Sequence, residues 1–466
     1  MVKRKAQIGV QQIWLHPDTE TEAILNYLCQ QSGKLYNMGL YLTRQLFFKT
    51  GKILTGKFDL CYEESISKSL IAKSLPSTPA QQTLYSVIEA FKSYKSLRDL
   101  WYKGQLSYKP SPPKYLKGSK LFKVAYPNSG GQKPKIKNGK LVFSLGLTVK
   151  RWFGVKNFSL PFPSNLEGRK IKEWTILPKN GAFYLEVSYE IPNQTPVTQN
   201  ANEALSIDLG TSSNLAACVD TLGNSFLIDS RAMKSYNQHW NKQVATRKEG
   251  KPQGYWDKWL DQVTRKRNHR VRDGINKAAR LIINHCLKHG IGTIVLGWNE
   301  GFKTSANMGK INNQKFVQIP LGKLKDRLSQ LCDLYKIKLV LTEEAYTSKA
   351  SYLDGDSLPM FGSKPAGWKA SGRRIKRGLY KSASNSIVNA DLNGSANILR
   401  KVARNLGLDL GRLGRRPLTT AARIRLWAQA RVYPVRRIPA SNDRGVSILL
   451  SNKTKPYRFA SQIQTL

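Results

Sequence analysis

The chain has 466 residues, with 76 Lys and Arg against 30 Asp and Glu, a formal net charge of +46. With 40% apolar and 10% aromatic residues it can build real cores, which excludes a disordered basic tail, and at roughly 150 residues per domain its length suggests about three domains. The cationic excess is spread along the chain and asks for a polyanion, nucleic acid before a membrane surface; no run of ~18 apolar residues suggests a membrane span, and the start, MVKRKAQIGVQQIWLHPD, lacks the apolar core of a secretory signal.

Residues 5–15 alternate apolar and polar, as a strand does, and Pro17-Asp18 opens a helical stretch in which Ile24, Leu25, Leu28, Leu35 and Met38 recur at helical spacing. A second helix follows Ser77-Thr78-Pro79, with Leu84, Val87, Ile88, Phe91, Tyr94 and Leu97 as its apolar stripe. Residues 18–105 are therefore expected to form a helical insert in a β domain made of residues 1–17 and 106–192. Within the latter, Lys179-Asn180-Gly181 between two alternating runs signals a hairpin. Residues 193–203 read as a linker.

From residue 204 three short strands (ALSIDLG, LAACVD, SFLIDS) precede a long basic helical region, the apolar strand TIVLG, another helix, the strand KLVLTEE and a final helix near DLNGSANILRKVARN. That order suits a mixed α/β layer fold over residues 204–405. Residues 406–466, basic and poor in apolar runs, are expected to be a disordered arm. The five cysteines, Cys29, Cys61, Cys218, Cys286 and Cys332, form no C-x-x-C pair, so they read as reduced thiols of a cytosolic protein.

Charges inside strands are costly unless they bind something. Asp208 interrupts the apolar run Leu205, Ile207, Leu209, and Asp391 opens the last helix, where an N-cap is its ordinary role. With a Glu near a later strand, these can converge on one sheet edge, where hard oxygen ligands would call for Mg²⁺ or Mn²⁺.

SIDLGTSSNLAACVD, TIVLG, EEAYTSKAS, GRRIKRGLY and NADLNGSANILRK resemble the RuvC-type nuclease half of TnpB proteins, transposon-encoded RNA-guided DNA endonucleases similar to the ancestors of type V CRISPR effectors. The resemblance implies an RNase H-like nuclease domain over 204–405, preceded by a β wedge domain carrying a helical recognition insert. It implies DNA phosphodiester hydrolysis at sites set by a guide RNA from the transposon end and a short flanking motif in double-stranded DNA. A cytoplasmic, nucleoid-associated place follows from such a role.

By this resemblance Asp208 matches the first catalytic carboxylate and Asp391 the third. In most of the family the Glu ends the strand that here reads TIVLG, and that position is Gly297. A subset resembles a rearranged form with the Glu before the Tyr-Thr-Ser motif. Glu344 is favoured on its spacing to Tyr346-Thr347-Ser348, with Glu343 and Glu300 as alternatives. Many relatives also carry a four-Cys zinc ribbon before the last Asp; the insert 351–383 has no Cys, so no zinc is expected, and packing of Tyr352, Leu353, Phe361, Trp368 and Leu379 would have to hold it.

Arg373, Arg374, Lys376 and Arg377 in that insert, and Arg265, Lys266, Arg267 and Arg270 on the basic helix, are candidates for phosphate contacts. Two other readings stay open: a nuclease-dead RNA-guided DNA-binding protein, and an RNA-independent transposase with an RNase H-like core.

Overall fold

In a computed structural model the described residues are 7–117, 121–129, 131–191, 199–210, 213–299, 319–427 and 433–434. The chain divides into two compact units, residues 1–193 and 194–466.

In the first unit, β1 (Ile8–Trp14), β2 (Val124–Pro127), β6 (Ile171–Lys179) and β7 (Ala182–Glu190) form an antiparallel sheet in the order β1-β7-β6-β2, and β3 (Lys135–Lys137), β4 (Lys140–Ser144) and β5 (Asn157–Pro161) form a second. The β6–β7 hairpin turns on Asn180 and Gly181, both at positive φ (50° and 61°), which matches the twist of the strands it joins. Two long helices, α1 (Thr19–Thr50) and α2 (Ser77–Tyr102), pack together. Asp18 caps α1, its Oδ1 accepting the Thr21 amide at 2.7 Å. Gly39 lets the pair close up: a Cβ there would stand 3.1 Å from Leu84 Cδ2. Leu28, Leu35, Val87, Phe91, Trp174 and Leu185 belong to one buried core.

The second unit is built on a mixed seven-stranded sheet, β12-β11-β8-β9-β10-β16-β17. β8 (Asn200–Leu209), β9 (Asn214–Asp220) and β10 (Ser225–Asp229) form an antiparallel meander; β11 (Ile291–Gly297) runs parallel to β8, and β12 (Lys338–Thr342) parallel to β11. β8 begins at Asn200, so the end of the expected linker is strand. Alternation along β8 sends Leu205 and Ile207 to one face, into a core with Ile275, Ala278 and Ile282 of α4 (Lys258–His289) and Leu324 and Leu328 of α5 (Leu321–Tyr335). Ala204 joins the other core, with Leu392, Ala396 and Leu399 of α6 (Ala390–Leu406). Another helix, α3 (Arg231–Lys248), packs beside α4. β13 (Arg373–Lys376), β14 (Leu379–Lys381) and β15 (Ile387–Asn389) form a small sheet just before α6.

One expectation is corrected outright. Residues 406–427 are not a disordered arm: Arg415–Thr419 is helical, Leu413 and Leu418 are buried, and β16 (Ala422–Arg425) pairs parallel with β10, with β17 (Tyr433–Pro434) outside it. A few buried leucines anchor the segment to the sheet although its composition is that of a solvated tail. The remaining tail residues lie outside the described residues. Among the described residues no helix is long and apolar enough to cross a membrane, and all five cysteines are free thiols.

Candidate catalytic carboxylate site

Three carboxylates from three separate elements meet at one end of the large sheet. Asp208 is the penultimate residue of β8 and shares the face of Ser206, which hydrogen-bonds Ser395 of α6 at 2.8 Å. One residue earlier on α6, Gly394 leaves room for the carboxylate: a Cβ there would lie 2.6 Å from Asp208 Oδ2. Asp208 is half-buried, and its acidity falls for two reasons. Burial is the larger, and the charges of Glu344 and Asp391 add to it, so its pKa stands well above the ordinary carboxylate value.

On the neighbouring strand, Leu296 pairs with Ile207, and Gly297 is the next residue, alongside Asp208. Gly297 pairs on its other side with Thr342, the end of β12. Two residues later the chain folds Glu344 back over this glycine. A Cβ on Gly297 would stand 2.6 Å from Glu344 Oε1 and 2.7 Å from its Cγ. The space a side chain at the end of β11 would fill is thus occupied by Glu344.

The backbone of Glu344 is pinned from both sides. Its amide donates to Asn299 Oδ1 at 3.1 Å, and its carbonyl accepts the Thr347 hydroxyl at 2.9 Å. The turn between them puts Tyr346 at φ 64°, a left-handed conformation unusual for a bulky residue. The Tyr-Thr-Ser stretch therefore works as a clamp on the glutamate before it. Burial pushes the Glu344 carboxyl up to about 7.

Glu343 faces elsewhere. Its Oε1 accepts from Lys401 Nζ at 2.7 Å, its Oε2 accepts the Phe361 amide at 3.1 Å, and these partners lower its pKa against the effect of burial. Glu300 lies outside the described residues.

Asp391 sits in the first turn of α6 but does not cap it. Asn389 does, accepting the amides of Asp391 and Leu392 at 3.0 and 3.1 Å. The Asp391 carboxylate is left to accept from Asn214 Nδ2 at 2.7 Å and to face Arg374 Nη2 at 3.4 Å. The rest of the NADLNGSANI run has equally concrete work. Asn393 and Asn397, one turn apart and fully buried, donate to the Ala350 carbonyl at 2.8 Å each, and Asn397 also reaches the Thr347 carbonyl at 2.9 Å. α6 thus fastens the loop that carries Glu344.

The Cys-free insert is held mainly by two aspartates. Asp354 accepts the amides of Ala383 (2.7 Å) and Ser384 (3.4 Å) and the Ser371 hydroxyl (3.1 Å); Asp356 Oδ2 accepts the amides of Ser351 (2.7 Å) and Ser371 (3.0 Å). Of the expected packing residues, Tyr352 and Leu353 lean on the core of α6, and Trp368 meets Tyr346 edge-on, but Phe361 is 85% exposed and lies outside that packing. Its aromatic character misled the reading; the hydrogen-bonding aspartates were the missed signal.

The basic candidates separate in the same way. Arg373, Arg374, Lys376 and Arg377 are exposed around β13, with Arg374 turned to Asp391. On α4, Lys266 is exposed and Arg265 half-buried. Arg267 donates to Asn237 and Asn268 at 2.9 Å each and lies over the Trp240 ring, so it ties α4 to α3; Arg270 stacks over Tyr236 and Trp427.

The donor set suits a hard divalent cation: half-buried carboxylates whose mutual repulsion already raises the pKa of one of them want positive charge between them. Among the described residues no three His, Cys, Asp or Glu side chains close round a common metal position, and Asp391 is engaged by Asn214 and Arg374.

Residues 186–301 match a family model described as a probable transposase, OrfB_IS605. A solved Cas12f1–sgRNA–target DNA complex is similar over 82% of this chain and 83% of that one, at 15% identity and a TM-score of 0.55, a likeness of fold. The mini-RNA-guided endonuclease Cas_phi3 aligns over 88% of this chain and 94% of its own, at 11% identity and a TM-score of 0.43. No curated protein matches. The family match covers about a quarter of the chain, and the likeness to the Cas12f1 complex is one of fold.

Proposed function

We propose that this chain is an RNA-guided DNA endonuclease of the TnpB type that cuts target double-stranded DNA with Asp208, Glu344 and Asp391. The observation that carries the reading is the meeting of these three carboxylates, with Glu344 filling the space over Gly297 beside Asp208. A magnesium or manganese ion held by the three would supply the charge that activates water and stabilises the leaving oxygen.

The chain's own residues do the rest. Gly394 and Gly297 let Asp208 and Glu344 approach the sheet edge. Asn389 takes the capping duty from Asp391 and so frees its carboxylate. Glu344, half-buried and raised to about 7, holds a proton near neutrality, and a cation bound there would favour its ionised form. The exposed Arg373, Lys376 and Arg377 attract nucleic-acid phosphates without reading sequence. The guide RNA, derived from the transposon end, would select the target by base pairing, in the cytoplasm on nucleoid DNA.

The test is cleavage of a target plasmid by the full chain with its copurified RNA, with and without Mg²⁺, against Asp208→Ala. Mg²⁺-dependent cutting lost in Asp208→Ala supports the reading. Target binding without cutting by the unmodified protein would replace it with an RNA-guided DNA-binding protein. Absence of any discrete copurifying RNA would replace it with an RNA-independent transposase.

A further inference from the structure

The C-terminal strand β16 reaches the carboxylate site through two polar contacts. Arg423, paired with Leu227 of β10, donates from Nη1 to Asn214 Oδ1 at 2.7 Å, and Asn214 Nδ2 donates to Asp391 Oδ2 at 2.7 Å. Asn214 is buried, and Arg423 is only 21% exposed on its side chain. Behind them the buried Asp229 stands 3.6 Å from Arg423 Nη1 and is itself gripped by the Arg231 side chain and amide. These contacts settle which way the Asn214 amide points. A guanidinium has donors only, so the amide oxygen must face Arg423 and the amide nitrogen must face Asp391.

We propose that Arg423 is a positioning residue for Asp391, acting through Asn214: it locks the amide in the orientation that donates to the carboxylate and so sets the rotamer of one carboxylate of the site. Without it the amide is free to turn its oxygen on Asp391 Oδ2, and two acceptors at that distance repel. The nuclease centre then depends on a segment beyond the helix that carries its last carboxylate, in a stretch whose composition reads as a tail. This rests on the reading of Asp391 as a ligand of the catalytic cation.

The test uses the full chain with its copurified RNA and Mn²⁺ as the probe, its binding followed by electron paramagnetic resonance, alongside target-DNA binding and melting temperature. Arg423→Met and Asn214→Leu should each weaken Mn²⁺ binding about tenfold, as loss of an outer-shell partner does. The double variant should be no weaker than the singles, and DNA binding should be unchanged. Wild-type Mn²⁺ affinity in either single variant, or effects that multiply in the double, would overturn the proposal. Asn214→Leu leaves β16 and the Asp229–Arg231 pair in place, so it decides the matter should Arg423→Met not fold. Asp391→Ala separates the two readings: if it too binds Mn²⁺ like the wild type, the site assignment fails; if it alone is impaired, only the role of Arg423 and Asn214 fails.

Discussion

The side chain of Glu344 lies against the α-carbon of Gly297, so close that a methyl group there would meet Glu344 Oε1 at 2.6 Å and Ile398 Cδ1 at 2.6 Å. Gly297→Ala must therefore push the glutamate away from Asp208. Since a shift of about 1 Å costs on the order of a hundredfold in rate, cleavage should fall by that order while DNA binding stays. The pair Gly297→Glu with Glu344→Ala returns a carboxylate to the end of β11 and should recover part of the activity. Recovery no better than Glu344→Ala alone would mean that the two positions do not reach the same place.

Glu343 and Glu344 should exchange phenotypes. Glu344→Gln removes a carboxylate from the site and should abolish cutting with binding intact. Glu343→Gln leaves Lys401, whose side chain is only 8% exposed, without its charged partner, and should lower stability by about 1–3 kcal/mol with cutting retained. Plasmid cleavage and thermal melting on both variants read this directly; cutting lost in Glu343→Gln and kept in Glu344→Gln would reverse the assignment.

The raised pKa of Glu344 makes a signed prediction. In the cation-free protein the folded state holds a proton on Glu344 up to about pH 7, while the unfolded chain releases it near the ordinary glutamate value of 4.5. Between those values the folded state binds more protons, so this group's stability contribution is full below the lower value and is lost as pH rises through the upper one. Glu344→Gln should therefore raise the melting temperature at pH 8 relative to the unmodified protein and make little difference at pH 4. Equal offsets at both pH values would show that Glu344 ionises normally.

Asp354 ties the two ends of the Cys-free insert. Asp354→Ala should expose the amides of Ala383 and Ser384 to faster hydrogen exchange and loosen β14 and β15 just before Asp391. A zinc-selective chelator should leave melting unchanged. Unaltered exchange at these two amides in Asp354→Ala would assign the insert's order to something else.

On α4, neighbouring cations should behave differently. Lys266→Ala should weaken nucleic-acid binding and reduce its salt slope by about one, whereas Arg267→Ala should destabilise the α3–α4 pair, because Arg267 is bound to Asn237 and Asn268 and covers Trp240. Titrations at several salt concentrations, with melting curves, distinguish the two.

The sequence alone determined what is local. Alternation marked the strands of both units, Asn180-Gly181 marked the hairpin, and Asp208 and Asp391 stood out because a carboxylate in an apolar run has to be explained. The resemblance favoured Glu344, with Glu343 and Glu300 as alternatives, and of the adjacent pair only one could face the site, since neighbouring side chains near a strand end point opposite ways. What the sequence could not contain is what each member of the pair meets: Lys401 is 58 residues from Glu343, and Gly297, 47 positions before Glu344, became informative only when β11 was laid beside β8. The same holds for the C-terminal segment. Its charge described a tail, but a handful of buried leucines and one parallel strand pairing placed Arg423 next to Asn214, 209 residues earlier. Composition reports how a segment meets water on average; only the tertiary structure decides which few of its side chains leave water and what they touch.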